Sequence, residues 1–140
     1  MDDLVKREGL YYKKFTDVPF TGKTDEGRFQ RSFQHGKYHG PYEYYHGNGQ
    51  LWIRGTYENG KNEGPSEGYY DTGQLMVRGN HKNNIKDGSW ERYFDDGRIQ
   101  YKGKYKNDNR EGSWESYKSD GTVDEEGTGV FKNGVKVSEW

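Results

Sequence analysis

Residues 40–64 read GPYEYYHGNGQLWIRGTYENGKNEG, and the same pattern follows along the rest of the chain with a fixed period. We number repeat positions from the first glycine of each unit, and these glycines are 24 residues apart, at Gly40, Gly64, Gly88 and Gly112. Glycine recurs at positions 9 and 15, tyrosine at position 5, and a branched aliphatic residue at position 11. Several columns held at one period indicate a tandem repeat array.

Each unit has room for two strands joined by a short turn. The first strand covers about positions 1 to 7, and the turn at 47–49 recurs at 71–73, 95–97 and 119–121 with Asp, Asn or Ser before Gly. The second strand covers about positions 10 to 18 and ends at Asn59-Gly60. Its counterparts Asn83-Asn84 and Asn107-Asp108 use the residues that best replace Gly at positive φ, so the same turn is predicted in each unit.

Alternation along the second strand predicts a sheet with one buried and one wetter face. By the two-residue period, positions 11, 13, 15 and 17 should share a face, which in the first full unit holds Leu51, Ile53, Gly55 and Tyr57. The glycine leaves a hole that the tyrosine column at position 5 is expected to cover. Glycine is too frequent for helices. The predicted fold is all-β, an elongated single-layer antiparallel meander of β-hairpin repeats with a period of 24 residues.

The composition fits a thin, folded array. Only 28% of the 140 residues are apolar, but 16% are aromatic, whereas disordered chains are poor in aromatics.

We assign residues 1–140 to one repeat domain. It comprises a degenerate N-terminal unit or cap at 1–39, full repeats at 40–63, 64–87 and 88–111, and a C-terminal repeat and cap at 112–140.

The two ends of the chain depart from the repeat. Residues 4–14 are compatible with a short helical turn or with a first strand, residues 18–23 indicate a strand entry, and Phe33 already stands in the repeat register. In the last unit Glu125 replaces an apolar residue at position 13, between two further acids. A polar, irregular last unit is typical of a cap that blocks edge-to-edge pairing.

Charge and composition disfavour several classes of partner. The net charge is −1, with 22 basic and 23 acidic residues interspersed, so no nucleic-acid partner is expected. The chain has no cysteine, which excludes disulfides, thiol catalysis and cysteine-based zinc sites. It has no apolar run that resembles a signal peptide or a membrane span, so a cytoplasmic location is expected and a membrane partner is not. A signal peptide removed beforehand would leave the same sequence.

The sequence contains no convincing catalytic, metal or cofactor set. His35 and His39 have a metal-like spacing, but they flank a turn and no third ligand converges on them. The serines have no partner histidine in the repeat register, and the glycines do not form a phosphate-binding fingerprint. Position 3 is acidic in every unit, at Glu43, Glu67, Glu91 and Glu115. Catalytic acids need unlike environments, so a structural pairing with basic neighbours is predicted, and a charged ladder for partner binding is the alternative.

A second face is the candidate binding surface. If the hairpin turn has three residues, positions 4, 6, 10, 12 and 14 point away from the aliphatic column. Aromatic residues and Met that lie outside a core, with Arg at their margin, are typical of a protein interface. The alternative is that a β-bulge shifts the strand register by one residue, which would place the same rings in the core. The candidate partner-binding residues are Tyr44, His46, Trp52, Arg54, Tyr70, Met76, Arg78 and Phe94, flanked also by Arg92 and Lys102.

The repeat resembles the MORN repeat, and more closely its bacterial variant. The matching consensus is Gly-x-Trp/Tyr-x-x-Tyr, then Asn/Asp-x-Gly-x-Leu, then Gly-x-Tyr-x-Asn-Gly-Lys-x-x-Gly, and the resemblance covers about Phe33 to Gly134. It implies a single-layered, twisted array of hairpins without an active site of its own. The bacterial relatives include YwqK-type antitoxins, which implies an immunity partner that neutralises a toxin.

The resemblance predicts a non-enzymatic protein-binding repeat protein, an antitoxin or immunity protein that occludes a cognate bacterial toxin, with no cofactor. Two alternatives remain open. One is a MORN-type scaffold or membrane-surface module, which the near-zero net charge disfavours. The other is a carbohydrate-binding module that stacks Tyr and Trp on sugar rings.

Overall fold

A computed structural model describes residues 4–14, 16 and 18–140, and these residues form fifteen strands and no helix. The strands are β1 (Leu4–Arg7), β2 (Leu10–Lys13), β3 (Gly22–Glu26), β4 (Phe29–Gln34), β5 (Lys37–Tyr38), β6 (Gly40–Tyr45), β7 (Leu51–Glu58), β8 (Lys61–Asn62), β9 (Gly64–Tyr69), β10 (Leu75–Lys82), β11 (Ile85–Tyr93), β12 (Ile99–Lys106), β13 (Asn109–Ser116), β14 (Gly129–Lys132) and β15 (Val135–Ser138).

Thirteen strands form one open sheet, and β1 and β2 form a separate hairpin. The main path of the large sheet runs β15-β14-β13-β12-β11-β10-β9-β7-β6-β4-β3, with β5 paired to β4 and β8 paired to β7. Strands that follow one another in the chain therefore lie side by side. The predicted all-β antiparallel meander of hairpin repeats is confirmed.

The two turn types of each unit follow the predicted chemistry. Position 9 has a φ of 89° at Gly49, and the Oδ1 atom of Asn48 accepts a 2.9 Å hydrogen bond from the backbone nitrogen of Gln50. At the other turn, Asn84 and Asp108 have φ values of 72° and 68° in the place where the first full unit has glycine. The prediction that Asn and Asp replace Gly at positive φ is confirmed.

A β-bulge at position 12 decides which residues share a face. β6 and β7 pair Tyr44 with Ile53 and Tyr45 with Leu51, so Trp52 is the extra residue, and the next two repeats shift register at the same place. Directly paired residues project from the same side of a sheet. Leu51 therefore lies with Tyr45, on the opposite side from Ile53, and the prediction that positions 11 and 13 share a face is wrong.

The core is a layer of rings on one side of the sheet, which we call the ring face. Its buried members are Phe33, Tyr42, Trp90, Trp114 and Phe131. The rings at position 2 lie against the glycines at position 15. A β-carbon on Gly103 would come within 2.2 Å of Trp114 Cδ2, and one on Gly79 within 2.0 Å of Trp90 Cδ2.

The glycines are thus covered by position 2 and not, as expected, by the tyrosine column at position 5. That column is on the other side of the sheet, because positions 2 and 5 are an odd number of residues apart on one strand. Tyr69 and Tyr93, two of its members, contact the acidic side chains of position 3 there.

Neighbouring rings and basic side chains cover the ring face from outside. The Arg110 guanidinium is 4.3 Å from the ring centre of Trp114, and Lys86 Nζ is 5.0 Å from those of both Trp90 and Tyr105. Cations over aromatic faces are attracted electrostatically, and their aliphatic stems exclude water. This arrangement buries Trp114 completely without a second layer of secondary structure.

Both ends of the array continue as strands. At the N-terminus, where a helical turn or a strand was expected, β1 and β2 form a hairpin that contacts the ring face through Tyr11, whose ring centre is 5.2 Å from those of Phe33 and Tyr38. In the last unit, β14 and β15 extend the sheet, and β15 leaves Val135 and Val137 64% and 59% exposed. The segment proposed as a cap therefore ends in an edge strand.

Substitution of Gly103 by alanine tests the contact between ring and glycine. The added methyl group collides with Trp114, so we expect Gly103→Ala to lower the free energy of unfolding by about 2 kcal/mol, as overpacking does. Gly47→Ala is the matched control, because a β-carbon there meets no atom within 4 Å. Urea unfolding measures both. Equal stability of Gly103→Ala and the control would contradict the packing described above.

Replacement of His81 by tyrosine tests how the ring face depends on pH. His81 stands at position 17, where Tyr57 and Tyr105 stand in the adjacent repeats. Burial, and then the charge of Lys86, lowers the pKa of His81 below its usual value of about 6.5. Protonation therefore favours the unfolded state, and stability is lost as pH falls below about 6.5. Between pH 7.5 and 5.5, urea unfolding should show a smaller loss for His81→Tyr than for the wild type; equal losses would show that His81 does not contribute.

Candidate functional site

The face opposite the rings carries a row of alternating charges, which we call the charge ladder. Each strand that the ladder crosses contributes one side chain, which we call a rung, and the residue of each rung pairs directly with that of the next. Acidic rungs come from position 3 and basic rungs from position 14. From β3 to β13 the rungs are Asp25, Gln30, Glu43, Arg54, Glu67, Arg78, Glu91, Lys102 and Glu115.

The basic rungs form ion pairs with the acidic rungs that follow them. Arg54 Nη2 is 2.7 Å from Glu67 Oε1, and Arg78 Nη2 is 3.3 Å from Glu91 Oε2. The hydrogen bond from Arg54 is the largest cause that lowers the pKa of Glu67. The predicted pairing of the glutamate column with basic neighbours is confirmed in three of the four units, and Glu43, which forms no ion pair with a described residue, is the exception. Because the arginines are half exposed, each pair contributes little stability alone.

The tyrosines of position 5 border the ladder. Tyr69 Oη donates a 3.1 Å hydrogen bond to Glu67 Oε2, and the Tyr93 hydroxyl donates to Glu91. The hydrogen bond from Tyr93 is the main cause of the lowered pKa of Glu91, and in return it raises the pKa of Tyr93. These hydroxyls therefore remain protonated donors, and they hold the carboxylates toward the basic rungs.

Two shallow depressions lie along the ladder. The first, of about 660 Å³, crosses the strands from β3 to β9, and its lining includes Asp25, Gln30, Pro41, Glu43, Thr56 and Pro65. The second, of about 570 Å³, crosses β11 to β13, and its lining includes Glu91, Lys102, Lys104, Glu111, Glu115 and Trp140. In strand order only β10, with Arg78, separates the two.

The structure divides the candidate partner-binding residues between the two faces. Arg54 and Arg78 are rungs of the charge ladder. Tyr44 pairs with Ile53 and lies on the ring face, where its ring centre is 5.1 Å from that of Tyr42. Arg92 is on the ring face as well, paired with Tyr101. The slip at the bulge, considered above as the alternative, is what occurs, so the eight candidates do not share one face.

The other candidates lie near the hairpin turns. His46, Tyr70 and Phe94 stand at position 6, and Trp52 and Met76 stand at the bulge. His46 Nε2 is 2.8 Å from the Tyr69 carbonyl oxygen, and Tyr70 Oη donates a 2.7 Å hydrogen bond to the Tyr93 carbonyl oxygen. Position 6 therefore links the first full repeat to the second and the second to the third.

Trp52 belongs to a partly exposed group of rings. Its ring centre is 5.9 Å from His46 and 6.5 Å from Tyr44, and 39% of the residue is exposed. Phe29, 36% exposed, completes the group at 5.3 Å from Tyr44. We call Phe29, Tyr44, His46 and Trp52 the aromatic patch. The sequence reasoning missed Phe29, although it stands 24 residues before Ile53 and so in the same repeat column.

The predicted pair of metal-like histidines serves the turns. His35 has a φ of 50° and its backbone nitrogen donates to Thr21 Oγ1 at 2.8 Å. His39 Nδ1 accepts a 3.2 Å hydrogen bond from the backbone nitrogen of Asn59. Across the described residues, no group of three or more His, Asp and Glu side chains could hold a metal ion.

One serine contacts a histidine, although the sequence predicts no serine with a partner histidine in the repeat register. Ser66 Oγ is 3.4 Å from His81 Nδ1, a long hydrogen bond. Ser66 stands at position 2, where Tyr42 and Trp90 stand in the neighbouring repeats. His81 lines neither depression. The pair therefore fills the ring layer where this repeat lacks a large ring.

Comparison with known families identifies the repeat. Residues 38–59, 62–83 and 86–107 match the family model of the MORN repeat variant. No curated protein matches the sequence significantly. In the described part of the chain no helix is long and apolar enough to cross a membrane. The matches begin 24 residues apart, in register with the hairpins of the sheet. Three tandem segments of the chain thus match the MORN repeat variant, and such repeats indicate a repeat-based binding scaffold.

Proposed function

We propose that this protein is a cytoplasmic antitoxin or immunity protein that binds a cognate bacterial toxin and occludes its active site. The match to the MORN repeat variant supports a binding scaffold. The resemblance of the repeat to the bacterial YwqK-type group supports the antitoxin role. The sheet supplies rigid strands with side chains fixed at each repeat, which is what a preorganised protein-binding surface requires.

The aromatic patch is the observation that carries this proposal. Trp52 and Phe29 are partly exposed, and Tyr44 and His46 support the Trp52 ring from the side. The bulge fixes the backbone under Trp52, so its orientation is set before a partner arrives. Trp and Tyr dominate the energetics of protein interfaces because they bury a large area and have few rotatable bonds.

The proposed interface extends from the patch along the hairpin turns. Tyr70, Met76 and Phe94 stand in the next two repeats at positions equivalent to those of His46 and Trp52. Since one repeat adds two strands, successive contacts are about 9.6 Å apart. A partner that reaches Phe94 therefore contacts three repeats, which suits an interface of about 800 Å² per partner. Arg54 and Arg78 belong to the other face.

Removal of the Trp52 ring tests the proposal. The toxin candidate is the product of the neighbouring gene, co-expressed with this chain, and growth rescue and complex formation are measured. We expect Trp52→Ser to weaken binding at least about 30-fold and to abolish rescue, as loss of an interface hot spot does. Phe94→Ser should weaken binding less. Trp140→Ser is the matched control, because Trp140 is 65% exposed and lies outside the patch.

Urea unfolding of each variant separates binding from folding. Wild-type chain and Trp140→Ser should rescue growth equally. If the wild type gives neither a complex nor rescue with that gene product, the antitoxin function is wrong. If Trp52→Ser and Trp140→Ser bind alike, the function stands but the aromatic patch is not its interface.

A further inference from the structure

The charge ladder has one rung without a charge. At position 14 the full repeats carry Arg54, Arg78 and Lys102, and 24 residues before Arg54 the first unit carries Gln30. Gln30 pairs directly with Asp25 on β3 and with Glu43 on β6. Each basic rung elsewhere stands between two carboxylates. At Gln30 two carboxylates flank a neutral amide.

The ion pairs show that no other base substitutes for the missing one. Arg54 pairs with Glu67, Arg78 with Glu91 and Lys102 with Glu115, so each basic rung pairs toward the C-terminal end of the ladder. Within the part of the chain that the structure describes, neither Asp25 nor Glu43 takes part in an ion pair. The N-terminal end of the ladder therefore lacks one positive charge.

The uncharged rung lies in the first depression. Gln30, Asp25 and Glu43 line it together with Pro41, Thr56 and Pro65. The exposed Lys23 also lines it, but forms no ion pair with a described carboxylate, so it does not replace the missing base. Gln30 and Glu43 are half-buried. A cation above Gln30 would stand between two carboxylates, as Arg54 stands between Glu43 and Glu67. The cation would also be partly removed from water, and charge-assisted hydrogen bonds are stronger at such a site than in water.

The shape of the depression fits an extended chain. It crosses five strands of the main path, β3, β4, β6, β7 and β9, and the four spacings between them, of about 4.8 Å each, give a length of about 19 Å. An extended segment in the polyproline conformation advances about 3.1 Å per residue, so about six residues span it. Pro41 and Pro65 give the depression an apolar lining, against which such a segment can pack.

We propose that this depression binds an extended segment of a partner protein, and that an arginine or lysine of the segment occupies the uncharged rung above Gln30. The partner's cation completes the alternation of charges from Asp25 to Glu115. This surface is on the opposite face from the aromatic patch, so it does not depend on the proposed antitoxin function.

A substitution that supplies the missing charge internally tests this proposal. Gln30→Arg places a guanidinium on the uncharged rung and should exclude the partner's cation. Gln34→Arg is the matched control, because it makes the same change on the same strand and, by the two-residue period, on the same face, outside the lining of the depression. The probe is a fluorescein-labelled peptide, Pro-Pro-Arg-Pro-Pro-Pro, with a peptide carrying Gln for Arg as its neutral counterpart.

Fluorescence anisotropy at 20 mM and 150 mM salt measures binding. We expect the arginine peptide to bind the wild type and Gln34→Arg equally, and to bind Gln30→Arg at least about tenfold more weakly, the effect of one partly buried charge pair. The neutral peptide should bind all three weakly, and salt should weaken only the arginine peptide. Trp52→Ser should bind the arginine peptide as the wild type does, which separates this surface from the aromatic patch.

Thermal unfolding supplies a second readout that needs no peptide. Because the added arginine completes the ladder, the Gln30→Arg variant should have an unfolding midpoint about 2 °C above that of the Gln34→Arg variant. The docking proposal is wrong if the arginine peptide binds the wild type no better than the neutral peptide, or if Gln30→Arg keeps the wild-type affinity. If Gln30→Arg gains no stability over its control, the rung does not lack a charge.

Discussion

The sheet depends on aromatic rings that lie directly against glycine backbone. A single-layer sheet has no second layer to cover its apolar face, so each large ring must be buried by the sheet itself and by its neighbours. Glycine at position 15 removes the β-carbon that would hold the ring away, and Trp114 becomes completely buried above Gly103. Trp114 belongs to the unit after Gly103, so burial of the ring joins two repeats. Stability therefore lies largely between repeats, as in other repeat arrays.

Burial of the rings on one face determines the chemistry of the other. Side chains alternate along a strand, so rings at position 2 place positions 3 and 5 on the opposite side. Those positions hold the glutamates of the charge ladder and the tyrosines that donate to them. Each ion pair is weak, but a one-residue slip would move every glutamate onto the ring face. The ladder thus fixes strand register, and the two faces present different chemistries to a partner.

The sequence predicts the period, the strands and the turns because these depend on local backbone preferences. Positive φ at Gly49, Asn84 and Asp108 is a property of those residues, and it is visible in the columns of the repeat. The sequence does not predict which residues share a face, because this depends on the one extra residue of the bulge. Position 12 is occupied by Trp52, Met76 and Gln100, which share no property that marks a bulge. That residue moves Leu51 away from Ile53 and separates Tyr44 from Arg54.

The candidate surfaces arise where the repeat is incomplete. In the full repeats each basic rung meets acids on both sides, and most rings are covered by neighbouring rings or bases, with the partly exposed Trp52 of the first full repeat as the exception. The first unit differs at two adjacent residues of β4 that face opposite ways: Phe29 belongs to the partly exposed aromatic patch, and Gln30 is the uncharged rung. An array of identical units would satisfy its own groups and offer every partner the same surface. Specificity must therefore come from the departures, and in this chain β4 places two of them back to back.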